Sequence, residues 1–251
     1  MQARHLPARN GFLWLVAAFR LYRRNPFTLT GLTLSYLLVL LIFAGIPLLG
    51  VGLASLARPF LLLMVANGCR SIDTGESGLA MPDILLQGLR EQRSPLLKLG
   101  GLYFLGSLLA LMVSILLGGA MPEGDAATQA DVALALLKMS AVALLLVELP
   151  FWFAPLLTGW GRVPAVKSLF FSFVSVFRNW RAFVVYGFSL SLILAAGGAL
   201  LSLLLALFGG WLPAAGTLLV LILGLFISFV LTPVLMASVY LSYRDVFAEH
   251  A

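Results

Sequence analysis

Charge is scarce in this chain: Asp, Glu, Lys and Arg make up 10% of its 251 residues. A soluble globular domain carries about 25% charged and about 45–50% apolar residues. Here the apolar share is 61% and the mean hydropathy is +1.05. That combination excludes a water-soluble domain and belongs to an integral membrane protein. Cysteine and histidine are nearly missing as well. Cys69 is the single cysteine, which excludes an intramolecular disulfide framework. His5 and His250 sit at opposite chain ends, and no His/Cys/Asp spacing resembles a metal site. Neither a G-x-S-x-G elbow nor a phosphate-cradling glycine loop occurs. The expectation is therefore a protein that is not an enzyme and holds no cofactor.

What charge there is lies in informative places. The net charge is +6, yet the basic residues border apolar runs. Positive-inside topology and anionic headgroups account for them better than nucleic acid does. The expected partners are membrane lipids, other membrane proteins or further copies of the chain, and no nucleic acid. The acidic residues of "SIDTGESG" (71–78), Asp73 and Glu76, with Asp83 nearby, read as a solvated loop. Tyr240, Tyr243, Arg244 and Asp245 at the end of the last apolar run read as interfacial anchors.

Six runs have the length of spanning helices, at about 20 apolar residues each: 27–46, 51–69, 96–118, 132–158, 182–208 and 214–242. The opening segment is not read as a signal peptide. Arg20, Arg23 and Arg24 interrupt its apolar stretch and no small-residue cleavage site intervenes. Arginine and lysine cluster at the N-terminus, after the second run and after the fourth, with Arg244 near the C-terminus. The three opposite loops carry none, and the longest has Glu123, Asp125 and Asp131 instead. This asymmetry predicts cytoplasmic termini.

The pattern is threefold. An amphipathic segment leads into a span, and a proline-bearing span with a basic exit returns from it. The junctions are Arg24-Asn25-Pro26, Arg93-Ser94-Pro95 and Arg178-Asn179-Trp180, where Asn or Ser suits an N-cap and proline suits the position after it. The returning spans contain Pro59, Pro150 and Pro233 and leave at Arg70, Arg162 and Arg244. Arg24, Arg93, Arg178 and Arg244 are the expected interfacial anchors. A single membrane domain, 1–251, thus reads as three units at about 11–70, 83–162 and 164–245. In the first amphipathic segment Phe12, Leu15, Phe19 and Tyr22 form one stripe. In the third, Ser168, Ser172, Ser175 and Asn179 share one face and bulky apolar residues the other. These segments are expected in the interface, aromatic side toward the lipid.

Three ionisable residues fall inside the proposed spans. Arg58 precedes Pro59, and Glu148 lies two before Pro150, where the third unit has Thr232 before Pro233. Counted from Arg70 and Arg162, Arg58 and Glu148 lie roughly 18 and 21 Å deep. A mid-membrane charge costs about 2.5–3.5 kcal/mol and turns toward a partner. Arg58 and Glu148 are expected to pair, with Thr232 in the same polar layer and Pro59, Pro150 and Pro233 breaking the helices beside it. The pair reads either as a helix-fixing lock or as a polar site for an ion, proton or headgroup. Lys138, nearer the far end of its span, is expected to snorkel outward. Gly197 and Gly198 are candidates for a packing seam, within the bundle or between copies.

The opening "ARNGFLWLVAAFRLYRRNP" and the closing "PVLMASVYLSYRDVF" resemble a family of proteobacterial polytopic inner-membrane proteins, usually described only as hypothetical transmembrane proteins. The likeness extends over most of the chain. It implies a multi-pass protein of the bacterial inner membrane and brings no activity with it. The expected fold is all-α with six transmembrane helices. The expected role is a non-enzymatic one, organising or partnering with lipids or membrane proteins. The rival expectation is a small transporter with a mid-membrane polar site, since broken helices at the midplane are what transporters use.

Overall fold

A computed structural model describes residues 3–75, 81–116, 129–208 and 213–247. Glu76, Glu123, Asp125 and His250 lie outside the described residues. Among the described residues every regular element is helical. They are α1 (Asn10–Arg24), α2 (Pro26–Ala44), α3 (Gly50–Thr74), α4 (Met81–Leu85), α5 (Arg93–Leu116) and α6 (Gln129–Ala143). There follow α7 (Leu149–Phe151), α8 (Ala154–Gly159), α9 (Ala165–Arg178), α10 (Trp180–Phe208), α11 (Pro213–Phe226) and α12 (Thr232–Phe247). Five-residue π-turns, Leu144–Glu148 and Ile227–Leu231, join α6 to α7 and α11 to α12. Six described segments are long and apolar enough to cross a membrane: Pro26–Ala44, Gly50–Thr74, Arg93–Leu116, Leu134–Gly159, Trp180–Leu207 and Leu218–Phe247.

The prolines act unequally. Pro59 sits inside an unbroken α3. Pro150 and Pro233 each lie just beyond a π-turn. Proline offers no N–H and its ring crowds the carbonyl four residues back, so a wider turn ahead of it relieves the clash. Before Pro233 that carbonyl belongs to Phe229, and it accepts hydrogen bonds from the Tyr22 hydroxyl and from Thr30 Oγ1, each at 3.0 Å. A second break falls at Trp152–Phe153, ahead of Pro155. Ser172 Oγ of α9 mends it, accepting from the Phe153 N–H at 2.9 Å and reaching the Leu149 carbonyl at 3.5 Å.

The chain divides into two compact units. One comprises Met1–Leu38, Met64–Leu86 and Phe177–Ala251. In it α1 packs on α10 and α12. Trp14 is buried against the rings of Phe183 and Tyr186, with centroids 5.4 and 6.4 Å away, and its indole N–H donates to Asp245 at 3.1 Å. Gly11 permits this approach, because a Cβ there would stand 2.5 Å from the Tyr186 nitrogen. Asn25 caps α2 through the Thr28 N–H at 3.2 Å. Asn179 instead clamps the N-terminal segment, its side chain accepting from the Leu6 N–H and donating to the Arg4 carbonyl.

The other unit comprises Val39–Leu63 and Gln87–Val176. Its core includes Leu99, Tyr103, Ala110, Val147, Phe151 and Ala154. Here α5 starts one residue ahead of the expected Ser94 cap, at Arg93. On α9 the serine face turns inward: Ser168, Ser172 and Ser175 are buried, while Phe170, Phe171, Phe173 and Phe177 are exposed. Buried hydroxyls must find partners, and Ser168 accepts from Thr158 at 2.9 Å and donates to the Ala165 carbonyl at 2.7 Å. On α1 likewise Phe12 and Phe19 face outward, and the buried side is Gly11, Trp14, Leu15, Ala18 and Leu21. Leu15, placed on the aromatic stripe by its spacing, belongs to the buried side.

Candidate functional site

The mid-span polar group is assembled within the second unit by three helical segments. Arg58 comes from α3, where Ser55 Oγ turns back to the Val51 carbonyl at 2.7 Å. Tyr103 comes from α5, which approaches α3 closely because residue 100 is glycine; a Cβ there would stand 2.6 Å from Leu56 Cα. Glu148 closes the π-turn after α6, whose extra residue re-aims its side chain. Phe151 meets the Tyr103 ring edge-on, with centroids 5.0 Å apart, and steadies the phenol.

The three polar groups form a closed set. Arg58 Nη2 donates to both Glu148 oxygens, at 3.0 and 3.1 Å. Tyr103 Oη donates to Glu148 Oε1 at 3.0 Å and accepts from Arg58 Nη1. The guanidinium carbon lies 4.4 Å from the Tyr103 ring centroid, within cation–π range. The Arg58 and Glu148 side chains are 35% and 38% exposed, so the pair lies at an edge rather than in a sealed core. The set carries no net charge, the form in which ionised groups are least costly in hydrocarbon. A cavity of about 370 Å³ opens beside it, with Tyr103, Ser107, Ser114, Met139, Val147 and Glu148 on its walls.

Thr232 belongs to the first unit, where its hydroxyl donates to the Ile227 carbonyl at 2.9 Å and closes the π-turn ahead of Pro233. Arg93 and Arg178 are exposed at the starts of their spans, and Lys138 is exposed on α6. Arg24 and Arg244 both reach Asp73, at 3.5 and 2.7 Å, and the Tyr240 hydroxyl donates to it at 3.0 Å. This corrects the loop reading of Asp73, because α3 continues to Thr74 and holds the carboxylate on its last turn. Among the described residues no cluster of three or more His, Cys, Asp or Glu is placed to hold a metal.

Two partners escaped the sequence reading. Tyr103 is one of several aromatics in an apolar run, and its separateness shows only in three dimensions. Asp73 could have been found from the charge pattern, as an acid three residues past Arg70 among basic span ends.

Together these features define an all-α integral membrane protein: six apolar helices, a neutral ion pair set within them, and aromatic faces turned outward. The chain is 34% identical over 268 residues to a probable inner membrane protein of Burkholderia thailandensis, covering 98% of this chain and 94% of that protein. It belongs to the same family. No protein-family model matches the chain, and no solved structure does.

Proposed function

We propose that this is a non-enzymatic protein of the bacterial inner membrane, with cytoplasmic termini, whose partners are membrane lipids or other membrane proteins. The observation that carries the reading is the inverted amphipathicity of α9. Its serines are buried in protein and its phenylalanines exposed, as suits a helix whose surroundings are lipid rather than water. The relative's name supports the inner-membrane location, and the arginine distribution supports the orientation. In this reading the Arg58–Tyr103–Glu148 set is a lock that fixes three segments of one unit. Native-membrane pull-down joined to mass spectrometry of bound lipid tests it. Retention of lipids or of a defined membrane protein is expected, and a bare monomer retaining neither would refute it. Orientation is read separately by labelling single cysteines placed in the loops after Cys69→Ser.

A transporter is the second reading, favoured by the cavity that adjoins Glu148 at a π-turn. It requires that Arg58→Leu with Glu148→Leu fold normally yet abolish flux in proteoliposomes. Under the first reading the folded double variant retains its lipid and protein partners.

A further inference from the structure

The cavity beside Glu148 runs between two helix stripes, and its length matches that of a lipid chain. On α5 the wall is Tyr103, Ser107, Ala110 and Ser114, spaced at successive turns. On α6 and its π-turn the facing wall is Leu136, Met139, Ala143 and Val147. The two serines present no free donor hydrogen to the slot: Ser107 Oγ donates to the Tyr103 carbonyl at 2.9 Å and Ser114 Oγ to the Ala110 carbonyl at 2.7 Å. The walls between the two ends are therefore predominantly apolar. From Tyr103 to Ser114 the slot runs roughly 16 Å along the helix. Half of a bilayer's hydrocarbon core is about 15 Å. Leu111 and Leu136 stand exposed at its rim, so it opens outward, and its inner end is closed by the ion-paired Glu148 and Tyr103.

We infer that this slot holds one acyl chain of a phospholipid. The headgroup stays in the leaflet toward the Ser114 and Leu136 end of the slot, and the chain terminus rests against the Arg58–Tyr103–Glu148 set. The inference rests on the lipid-partner reading and deepens it by naming where a chain is held. The charge of Glu148 is already balanced by Arg58, and its oxygens already accept three hydrogen bonds, so the inner end of the slot calls for no cationic group. A methyl terminus asks nothing of those oxygens.

The test uses the full chain in nanodiscs of phosphatidylethanolamine and phosphatidylglycerol. These are doped with a phosphatidylethanolamine carrying a diazirine near the end of one acyl chain. After illumination, peptide mass spectrometry is expected to find adducts on Glu148 and Val147, at the inner end of the slot, in excess of those on Phe188, an exposed residue of α10. Filling the slot with Ala110→Phe lowers Glu148 labelling about tenfold, a loss of order one decade in occupancy, while Phe188 labelling stays constant. Should Ala110→Phe fail to fold, Ala143→Leu fills the slot from the opposite wall and decides the matter. Wild-type labelling of Glu148 no greater than that of Phe188, or labelling that survives a folded filling variant, overturns the inference. If lipids are retained in native mass spectrometry while Glu148 stays unlabelled, only the slot is refuted. If no lipid is retained, the parent reading falls too.

Discussion

Replacing Glu148 by leucine strips Arg58 of its two carboxylate contacts, at 3.0 and 3.1 Å, and leaves it the Tyr103 phenol. A hydrogen bond to a charged group contributes about 1.5–3 kcal/mol, and an unpaired arginine at mid-span costs about 2.5–3.5 kcal/mol. The side chains are about one-third exposed, so the low end of each range applies, and removing the carboxylate itself relieves some cost. Glu148→Leu is then expected to destabilise by about 2–3 kcal/mol. Arg58→Leu, which leaves the carboxylate with the phenol alone, should cost a similar amount. Replacing both leaves no charge to strand, and the double variant should lie within about 1 kcal/mol of wild type. The coupling energy from this cycle is thus at least about 3 kcal/mol. Reversible unfolding of the full chain by SDS titration in mixed micelles measures all four species. Single losses that simply add in the double variant would refute the lock, because the two residues would then be acting independently.

Three more outcomes are expected. Tyr22→Phe and Thr30→Val each remove one of two donors from the Phe229 carbonyl and should cost about 0.6 kcal/mol alone, since the remaining hydroxyl still satisfies it. Their combination should cost more than the sum, read by the same titration. Asp73→Asn loosens Arg24, Arg244 and Tyr240 together; hydrogen exchange at the α12 end should rise, with a stability loss of about 1 kcal/mol that shrinks in high salt. Gly11→Ala should lower stability by about 1–3 kcal/mol through overpacking, since its new methyl meets the α10 backbone. Gly197→Ala should leave it unchanged or raise it by up to about 1 kcal/mol, since no described atom lies within 4 Å of such a Cβ.

Most of the architecture was legible because membrane solvation imposes long apolar runs and interfacial arginines. The spans begin and end within a few residues of the expected places, and the second and sixth depart furthest, each running five residues past its expected end, to Thr74 and to Phe247. Polar residues past an apolar run look like loop, yet Asp73 stays helical because three donors from α1 and α12 hold it. The depth of Arg58 and Glu148 was readable from helical rise, since depth is one-dimensional. The third member, Tyr103, was not, since its role depends on the azimuth of α5 and on the close approach at Gly100. Thr232, with equivalent depth and a matching proline, gives its hydroxyl to the Ile227 carbonyl of its own π-turn, a local bond that sequence equivalence does not foretell. Gly197 and Gly198 mark a stretch where helices can meet, and among the described residues no neighbouring element stands within 4 Å of a Cβ at either.

The inward serines of α9 reverse the usual map of tolerance to change. On a helix bordering water, the large apolar positions are the ones that resist substitution. Here Phe170 and Phe171 are exposed and touch chiefly each other, with ring centroids 5.9 Å apart, so leucine or isoleucine should serve there as readily. Ser168 and Ser172 have both their size and their hydroxyls committed to Thr158, Phe153 and neighbouring carbonyls. Exchange among relatives should therefore run freely through the phenylalanines and stall at the serines.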